Sequence, residues 1–268
     1  MRESVLEVPG ARLRHFVRGS GPLLLLVAGG HGDAAVNEAL ASHLAGRYTV
    51  LTYDRRGLSG STNDDPGLTL ATHADDISHL LSALTAEPAH VYGSSIGALI
   101  SLELTTRHPG QVGVVVAHEP PVTQLLPEPE RALAIEDLLA AEETFKAEGA
   151  FPALRRFAKF AGIDPTDREP DVETRVPGPE QLPNLEFFLT YDAPALRTHA
   201  LDLTALKNSP ARVVPAVGEN SGHIWAHRCG RLLAEELGIA CETFPGGHNG
   251  YVFRPRATAE RLHRVLDV

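Results

Sequence analysis

Three kinds of residue in this chain carry the chemistry of nucleophilic catalysis: a serine framed by glycines, a histidine framed by glycines, and glutamates that end apolar runs. Ser95 is the centre of Gly93-Ser94-Ser95-Ile96-Gly97. A neutral serine hydroxyl is a weak nucleophile, so it needs a base within hydrogen-bond reach and a carboxylate to orient that base. His248, in Pro245-Gly246-Gly247-His248-Asn249-Gly250, stands between the last predicted strand and the last predicted helix and is the candidate base. Two glutamates compete for the third place. Glu119 ends the run Val116-Ala117-His118-Glu119, and Glu219 follows Gly218 in a loop where no aspartate occurs between Asp202 and Asp267. Attack on a carbonyl also creates an oxyanion, which requires backbone donors. The N–H of Ile96, directly after the serine, is one expected donor, and Gly30 in Gly29-Gly30-His31-Gly32 is the other. His31 is a candidate substrate contact.

A Gly-x-Ser-x-Gly pentapeptide is weak evidence alone in a chain with 24 glycines, so the elements around it must place its partners. The apolar run His90–Tyr92 enters the pentapeptide as a predicted strand, and an apolar helix-like segment through Leu104 leaves it. A strand that turns at once into a helix strains its central residue, and neighbours without Cβ let the two backbones pack closely. Val5–Val8 and Leu13–Val17 read as a hairpin turned by Pro9-Gly10. Leu23–Val27 is continuously apolar, as a strand buried on both faces should be. Ala34–Leu44 reads as helix, Tyr48–Tyr53 as strand, Thr72–Leu84 as helix and Val112–Ala117 as strand. After a gap, Ala211–Val217 is strand, Ile224–Leu237 helix, Ile239–Phe244 strand and Pro255–Leu266 helix. This alternation predicts an α/β protein with a mostly parallel, doubly wound sheet.

Between about Pro120 and Lys207 the character changes. Eleven of the 20 prolines and six of the nine phenylalanines fall there, with helical patches at Glu128–Glu148, Phe151–Ala161 and Gln181–Ala200. The expectation is a helical cap inserted into the core: 1–119 and 208–268 form the core domain, and 120–207 the lid. Most of its rings should simply pack it onto the body, while Phe187, Phe188 and Tyr191 are candidate substrate contacts.

Together, Gly29-Gly30-His31-Gly32, Tyr53-Asp54-Arg55-Arg56-Gly57, the Ser95 pentapeptide and Gly246-Gly247-His248 make the chain resemble the α/β-hydrolase superfamily from about Val5 to its end. The resemblance implies an α/β-hydrolase fold, a nucleophile that precedes the histidine, and a serine hydrolase without a cofactor. In many members the acid is an aspartate in the loop matching Gly218–Gly222, which this chain lacks. The segment His118-Glu119-Pro120-Pro121-Val122-Thr123-Gln124-Leu125-Leu126 is similar to the acid-bearing stretch of the zearalenone-type lactonases, whose serine elbow is also alike. That resemblance favours Glu119 over Glu219. The insertion shares no defensible similarity with theirs, so lactone specificity does not transfer with the triad.

A formal net charge of −10 argues against nucleic acid and anionic membrane surfaces as partners. The longest apolar run, Leu23–Ala28, is too short to span a bilayer, and Met1–Arg18 lacks a signal-peptide core, so a cytoplasmic protein is expected. Cys229 and Cys241 imply no disulfide framework and read as buried apolar residues. His223 and His227, four apart on a predicted helix, lack a third ligand and the glutamate of a His-Glu-x-x-His site, so no metal is expected. Asp54 and Arg55 are expected to brace the loop after their strand. The expected partner is a medium-sized apolar ester or lactone, with assembly as a homo-oligomer left open. Carbon–carbon hydrolysis, thioester hydrolysis, perhydrolysis, or a ligand receptor that keeps the triad are the alternatives.

Overall fold

The computed structural model describes residues 1–64, 67–173 and 177–267. Eight strands form one sheet: β1 (Arg2–Val8), β2 (Ala11–Gly19), β3 (Leu23–Val27), β4 (Thr49–Tyr53), β5 (Ala89–Ser94), β6 (Val112–His118), β7 (Arg212–Gly218) and β8 (Glu242–Phe244). Their spatial order is β1-β2-β4-β3-β5-β6-β7-β8. β1 and β2 alternate between covered and exposed positions, pair antiparallel and sit at one edge. From β4 to β8 every neighbouring pair is parallel, and β3 and β5 are buried almost throughout. The sheet's two faces carry two apolar clusters, one around Leu25, Val91 and Val115 and the other around Leu24, Tyr92 and Val116. Neighbouring strand positions feed opposite clusters, as a strand period of two requires.

The helices outside the proline-rich stretch are α1 (Glu38–Leu44), α2 (Leu70–Leu84) and α3 (Ile96–Arg107) before it, and α9 (Trp225–Leu237), α10 (Gly250–Phe253) and α11 (Pro255–Leu266) after it. Within it lie α4 (Glu130–Glu148), α5 (Ala150–Phe160), α6 (Leu182–Phe187), α7 (Ala193–Thr198) and α8 (Leu203–Lys207), and no strand among the described residues. The fold is the α/β-hydrolase fold expected from the sequence. The chain runs from β3 to β4 on one side and then crosses to β5 on the other, so strand order reverses between β3 and β5. Ligands of open parallel sheets bind at such a reversal, beyond the carboxyl ends of the strands. Register supplies the rest: Val27 pairs with Gly93, Ser94 with His118, and His118 with Ala216. The residues after β3, β5, β6 and β7 therefore emerge side by side.

Three sequence expectations change. β8 is only Glu242–Phe244, because α9 ends at Gly238 in the left-handed region and the Ile239 N–H caps the helix on the Ala234 carbonyl at 3.0 Å. The helix expected over Gln181–Ala200 is interrupted by a π turn at Phe188–Asp192. α9 begins at Trp225, so His223 lies ahead of it and does not share a helical face with His227.

Gly93 and Gly97 allow β5 and α3 to meet. A Cβ on Gly97 would lie 2.4 Å from the Val27 carbonyl oxygen, and one on Gly93 2.4 Å from the Gly97 carbonyl oxygen. Both obstacles are backbone, so neither can yield. Gly97→Ala is expected to lower stability by about 2 kcal/mol or more, read as a lower midpoint in urea or thermal unfolding.

Candidate active site

Ser95 is the first residue past β5 and the N-cap of α3, held at φ 55° and ψ −125°. This is a costly conformation for a residue with a Cβ, and it persists only where its surroundings impose it. Its amide donates to the His118 carbonyl at 2.9 Å, an extension of the β5–β6 ladder past the end of the strand. The turn leaves Ser95 partly accessible while Ser94, beside it, is fully buried. Among the described residues only Ser59, Ser95 and Glu119 combine a side chain with positive φ. Two of the three are predicted site residues.

Glu119 (φ 49°) turns off the end of β6 with its amide on the Ala216 carbonyl at 2.8 Å. Its carboxylate is fully buried. The two oxygens have different partners. Oε2 accepts from His248 Nδ1 at 2.6 Å. Oε1 accepts from the Gly218 N–H at 2.8 Å and from the Ser221 hydroxyl, and His227 Nδ1 lies 3.5 Å away. Burial alone pushes this carboxyl up, but the neighbouring His227 ring, the hydrogen-bonded His248 and the His118 imidazole hold it well below the usual carboxylate range. It is therefore an anion whose charge orients the His248 ring through Nδ1 and leaves Nε2 for other chemistry. Glu219, the competing acid, is exposed and accepts instead from the Gly246 N–H at 3.1 Å.

Ser95 and His248 line one apolar pocket with Pro121, Phe157, Phe160, Leu196 and Trp225. α5 and α7 thus lie over Ser95. On its other side His248 borders an open cleft of about 580 Å³ that Lys159, Asn220, His223 and Asn249 also line. Phe187 and Tyr191 are not brought to the Ser95 pocket: their rings pair 4.8 Å apart, and Phe187 lies over Gly57. Phe188 is fully buried one layer behind, edge-on to Phe157 at 5.1 Å and to His31 at 6.4 Å. His31 is pushed down to about 4 by its own burial and the neighbouring Arg55 charge, so its ring is neutral at pH 7. The sequence reading missed Trp225, Phe157 and Phe160 as pocket walls, and Ser221 and His227 beside Glu119. Aromatic content marked the helical segment, but nothing in one sequence says which rings face inward.

Gly30 follows β3 at φ 45°, and the Gly29 carbonyl is taken by the Gly32 N–H at 2.9 Å. A trans peptide directs its N–H opposite to its C=O, so the Gly30 N–H points away from that turn. Neither the Gly30 nor the Ile96 amide has a backbone acceptor among the described residues. Asp54 braces the same region by accepting from the Ala34 and Gly60 amides, each at 3.0 Å. Among the described residues no group of three potential ligands could hold a metal ion; His227 faces Glu119 and Ser221, and His223 faces the open cleft. Cys229 is fully buried and Cys241 half-buried, and burial raises their thiols to about 12 and about 11. No helix among the described residues is long and apolar enough to cross a membrane.

A sequence model of the alpha/beta hydrolase family matches residues 23–261. The uncharacterized hydrolase YraK of Bacillus subtilis (strain 168) is 39% identical over 275 residues, which cover 100% of this chain and 97% of YraK. The 2-(acetamidomethylene)succinate hydrolase of Mesorhizobium japonicum is 36% identical over 100 residues, 37% of this chain and 36% of that protein. Among solved structures, a thermophilic esterase from Thermogutta terrifontis superposes with TM-score 0.76 at 16% identity, over 100% of this chain and 98% of that one.

His118, beneath the site, is fully buried against Tyr92 and Phe244, and neither ring nitrogen has a hydrogen-bond partner among the described residues. Burial pushes it down to about 4 from an ordinary 6.5. The folded protein therefore keeps this ring neutral where the unfolded chain protonates it. Between pH 6.5 and about 4 stability should fall with falling pH, by about 1.4 kcal/mol per unit for such a group, with no contribution above that window. His118→Phe is expected to make that slope shallower, His31 still contributing to it, without loss of stability at pH 7. Urea midpoints of both proteins at pH 7 and pH 5 measure it.

Proposed function

The chain belongs to the alpha/beta hydrolase family, and from that premise we propose that it is a serine hydrolase that cleaves an ester or lactone of a medium-sized apolar substrate without a cofactor. The observation that carries this reading is the 2.6 Å hydrogen bond from His248 Nδ1 to buried Glu119, on a histidine that shares an apolar pocket with strained Ser95. Ser95 Oγ attacks the carbonyl carbon while His248 Nε2 takes its proton. The carbonyl oxygen, now an oxyanion, is met by the N–H groups of Ile96 and Gly30. Collapse breaks the bond to the leaving oxygen, which receives the proton from His248 and leaves an acyl-Ser95. Water then attacks the acyl carbon with His248 again as base, and the second collapse releases the carboxylic acid and restores Ser95. Glu119 stays ionised throughout and stabilises the imidazolium that forms twice. The open cleft beside His248 supplies a polar path for water and product, while Phe157, Phe160 and Trp225 close tightly over Ser95 and would have to part to seat an apolar acyl or aryl group between them. The helical segment over 120–207 acts here as the lid, with 1–119 and 208–268 as the catalytic body.

The partial likeness to 2-(acetamidomethylene)succinate hydrolase supports a second reading, in which the same groups cleave a bond other than an oxygen ester. A panel of p-nitrophenyl esters, lactones, thioesters and β-diketones separates the two by relative kcat/KM.

Ser95→Ala is expected to lower ester kcat by about 10⁴-fold or more, because no other nucleophile can form the acyl intermediate. Undiminished turnover would sink the serine mechanism. Glu119→Gln should cost about 10³- to 10⁴-fold in kcat by losing the charge opposite the imidazolium, while Glu219→Gln should stay within about threefold of the parent. The reverse ranking would reassign the acid to Glu219.

A further inference from the structure

Three residues spaced four apart along the α6–π–α7 run, Asn184, Phe188 and Asp192, all bear on the loop that carries Gly30. Each is buried. Asn184 Nδ2 donates to the Ser59 hydroxyl at 2.8 Å and reaches the His31 carbonyl at 3.5 Å, and its Oδ1 accepts from the Ser59 N–H at 2.8 Å. Ser59 in turn donates through its hydroxyl to Asp33 at 2.6 Å, at the far end of the same loop. Phe188 packs edge-on against the His31 ring. Asp192 accepts from Arg55 Nη1 at 2.7 Å and from His73 Nε2 at 3.2 Å, and the other Arg55 amine donates to the Gly30 carbonyl.

The π turn makes this alignment feasible. A straight α-helix advances about 40° for every four residues, so residues at i, i+4 and i+8 drift off one face. The wider winding of a π turn takes part of that drift back. The Arg55–Asp192 pair is also too deeply buried to be incidental: Arg55 has 0% and Asp192 2% of its surface exposed. A buried pair of this kind is costly to desolvate and holds its geometry tightly once formed. It ties a helix of the 120–207 segment to the loop after β4 and, through one guanidinium, to the peptide between Gly30 and His31.

We propose that the α6–π–α7 run is a clamp on the Gly30 loop, with Asp192 as a positioning residue that acts through Arg55 to set the orientation of the Gly30 peptides. The Gly29 carbonyl is already fixed by the Gly32 amide, so the Arg55 bond to the Gly30 carbonyl fixes the second peptide flanking Gly30. Both torsions of Gly30 are then held, and its N–H points where an oxyanion needs it before any charge develops. The same helical run continues to Leu196 in the pocket wall. The segment that shapes the substrate pocket therefore also sets the oxyanion donor. This inference rests on Gly30 being an oxyanion donor, as in the reading above.

The test compares Asp192→Asn, Arg55→Lys and Asn184→Ala with Leu189→Ala, a buried apolar residue of the same π turn that makes none of these polar contacts. Kinetics on a p-nitrophenyl ester give kcat and KM, affinity for an arylboronic acid reports the tetrahedral state, and a thermal midpoint accompanies each variant. Asp192→Asn and Arg55→Lys are expected to lose about 10- to 100-fold in kcat with KM within about threefold, and boronate affinity should fall alongside kcat. Leu189→Ala should lose thermal stability but keep kcat within about threefold. If the charge variants do not fold, Asn184→Ala decides, since it leaves the buried pair intact; a kcat loss of about threefold or more with unchanged KM is expected. Unchanged kcat in the variants that fold, or an equal loss in Leu189→Ala, overturns the clamp. Failure of the underlying serine reading is separate, because there Ser95→Ala itself stays active.

Discussion

A buried carboxylate, that of Glu119, is the interaction on which the rest of this structure depends. A full charge removed from water must be met by polar partners on every side, and here three hydrogen-bond donors and a nearby imidazole come from four different places in the chain. Gly218 ends β7, Ser221 lies in the next loop, His227 is in the first turn of α9, and His248 sits between β8 and α10. None of these can shift alone without stranding the charge. The consequence is a histidine whose ring is fixed in one orientation although it sits on a glycine-flanked loop.

Backbone strain completes the arrangement. Ser95 and Glu119 are successive exits from neighbouring strands, and both leave the sheet at positive φ. The β5–β6 ladder continues one residue beyond β5 through the Ser95 amide and the His118 carbonyl, so the two strained residues are locked to each other. Strain of this kind costs of order 1–3 kcal/mol per residue. The close contact of β5, β3 and α3 around Gly93 and Gly97 offsets it by leaving the chain no relaxed alternative.

The helices between β6 and β7 contribute in a different way. They pack on the apolar cluster beneath them through Phe157, Leu185 and Leu196, yet they also send polar side chains into the core at Asn184 and Asp192. A helical segment held by apolar contact alone could slide. Directional bonds to Ser59 and Arg55 give it a register relative to the Gly30 loop, which apolar packing lacks.

The sequence by itself determined the order and kind of nearly every element, since strand and helix periodicities are local and continuous apolar runs of strand length suit strands buried on both faces. It also singled out Ser95, His248 and Gly30 as candidates, because a strand-to-helix turn and a glycine-framed loop have local signatures. It could not shorten β8 at Ile239, where a helix cap on the Ala234 carbonyl took the backbone that a strand would have used. Nor could it separate Glu119 from Glu219 on residue type, since both follow apolar strands; the parallel register of β5, β6 and β7 buried one beside His248 and left the other in solvent. The rings at Phe187 and Tyr191 looked as suited to a substrate as those at Phe157, Phe160 and Trp225. Which aromatic faces a pocket depends on helix rotation and on the π turn at Phe188–Asp192, set by packing between segments far apart in the chain. Only tertiary structure decides such matters, because burial and orientation belong to a residue's neighbours in space, and one sequence records only its neighbours along the chain.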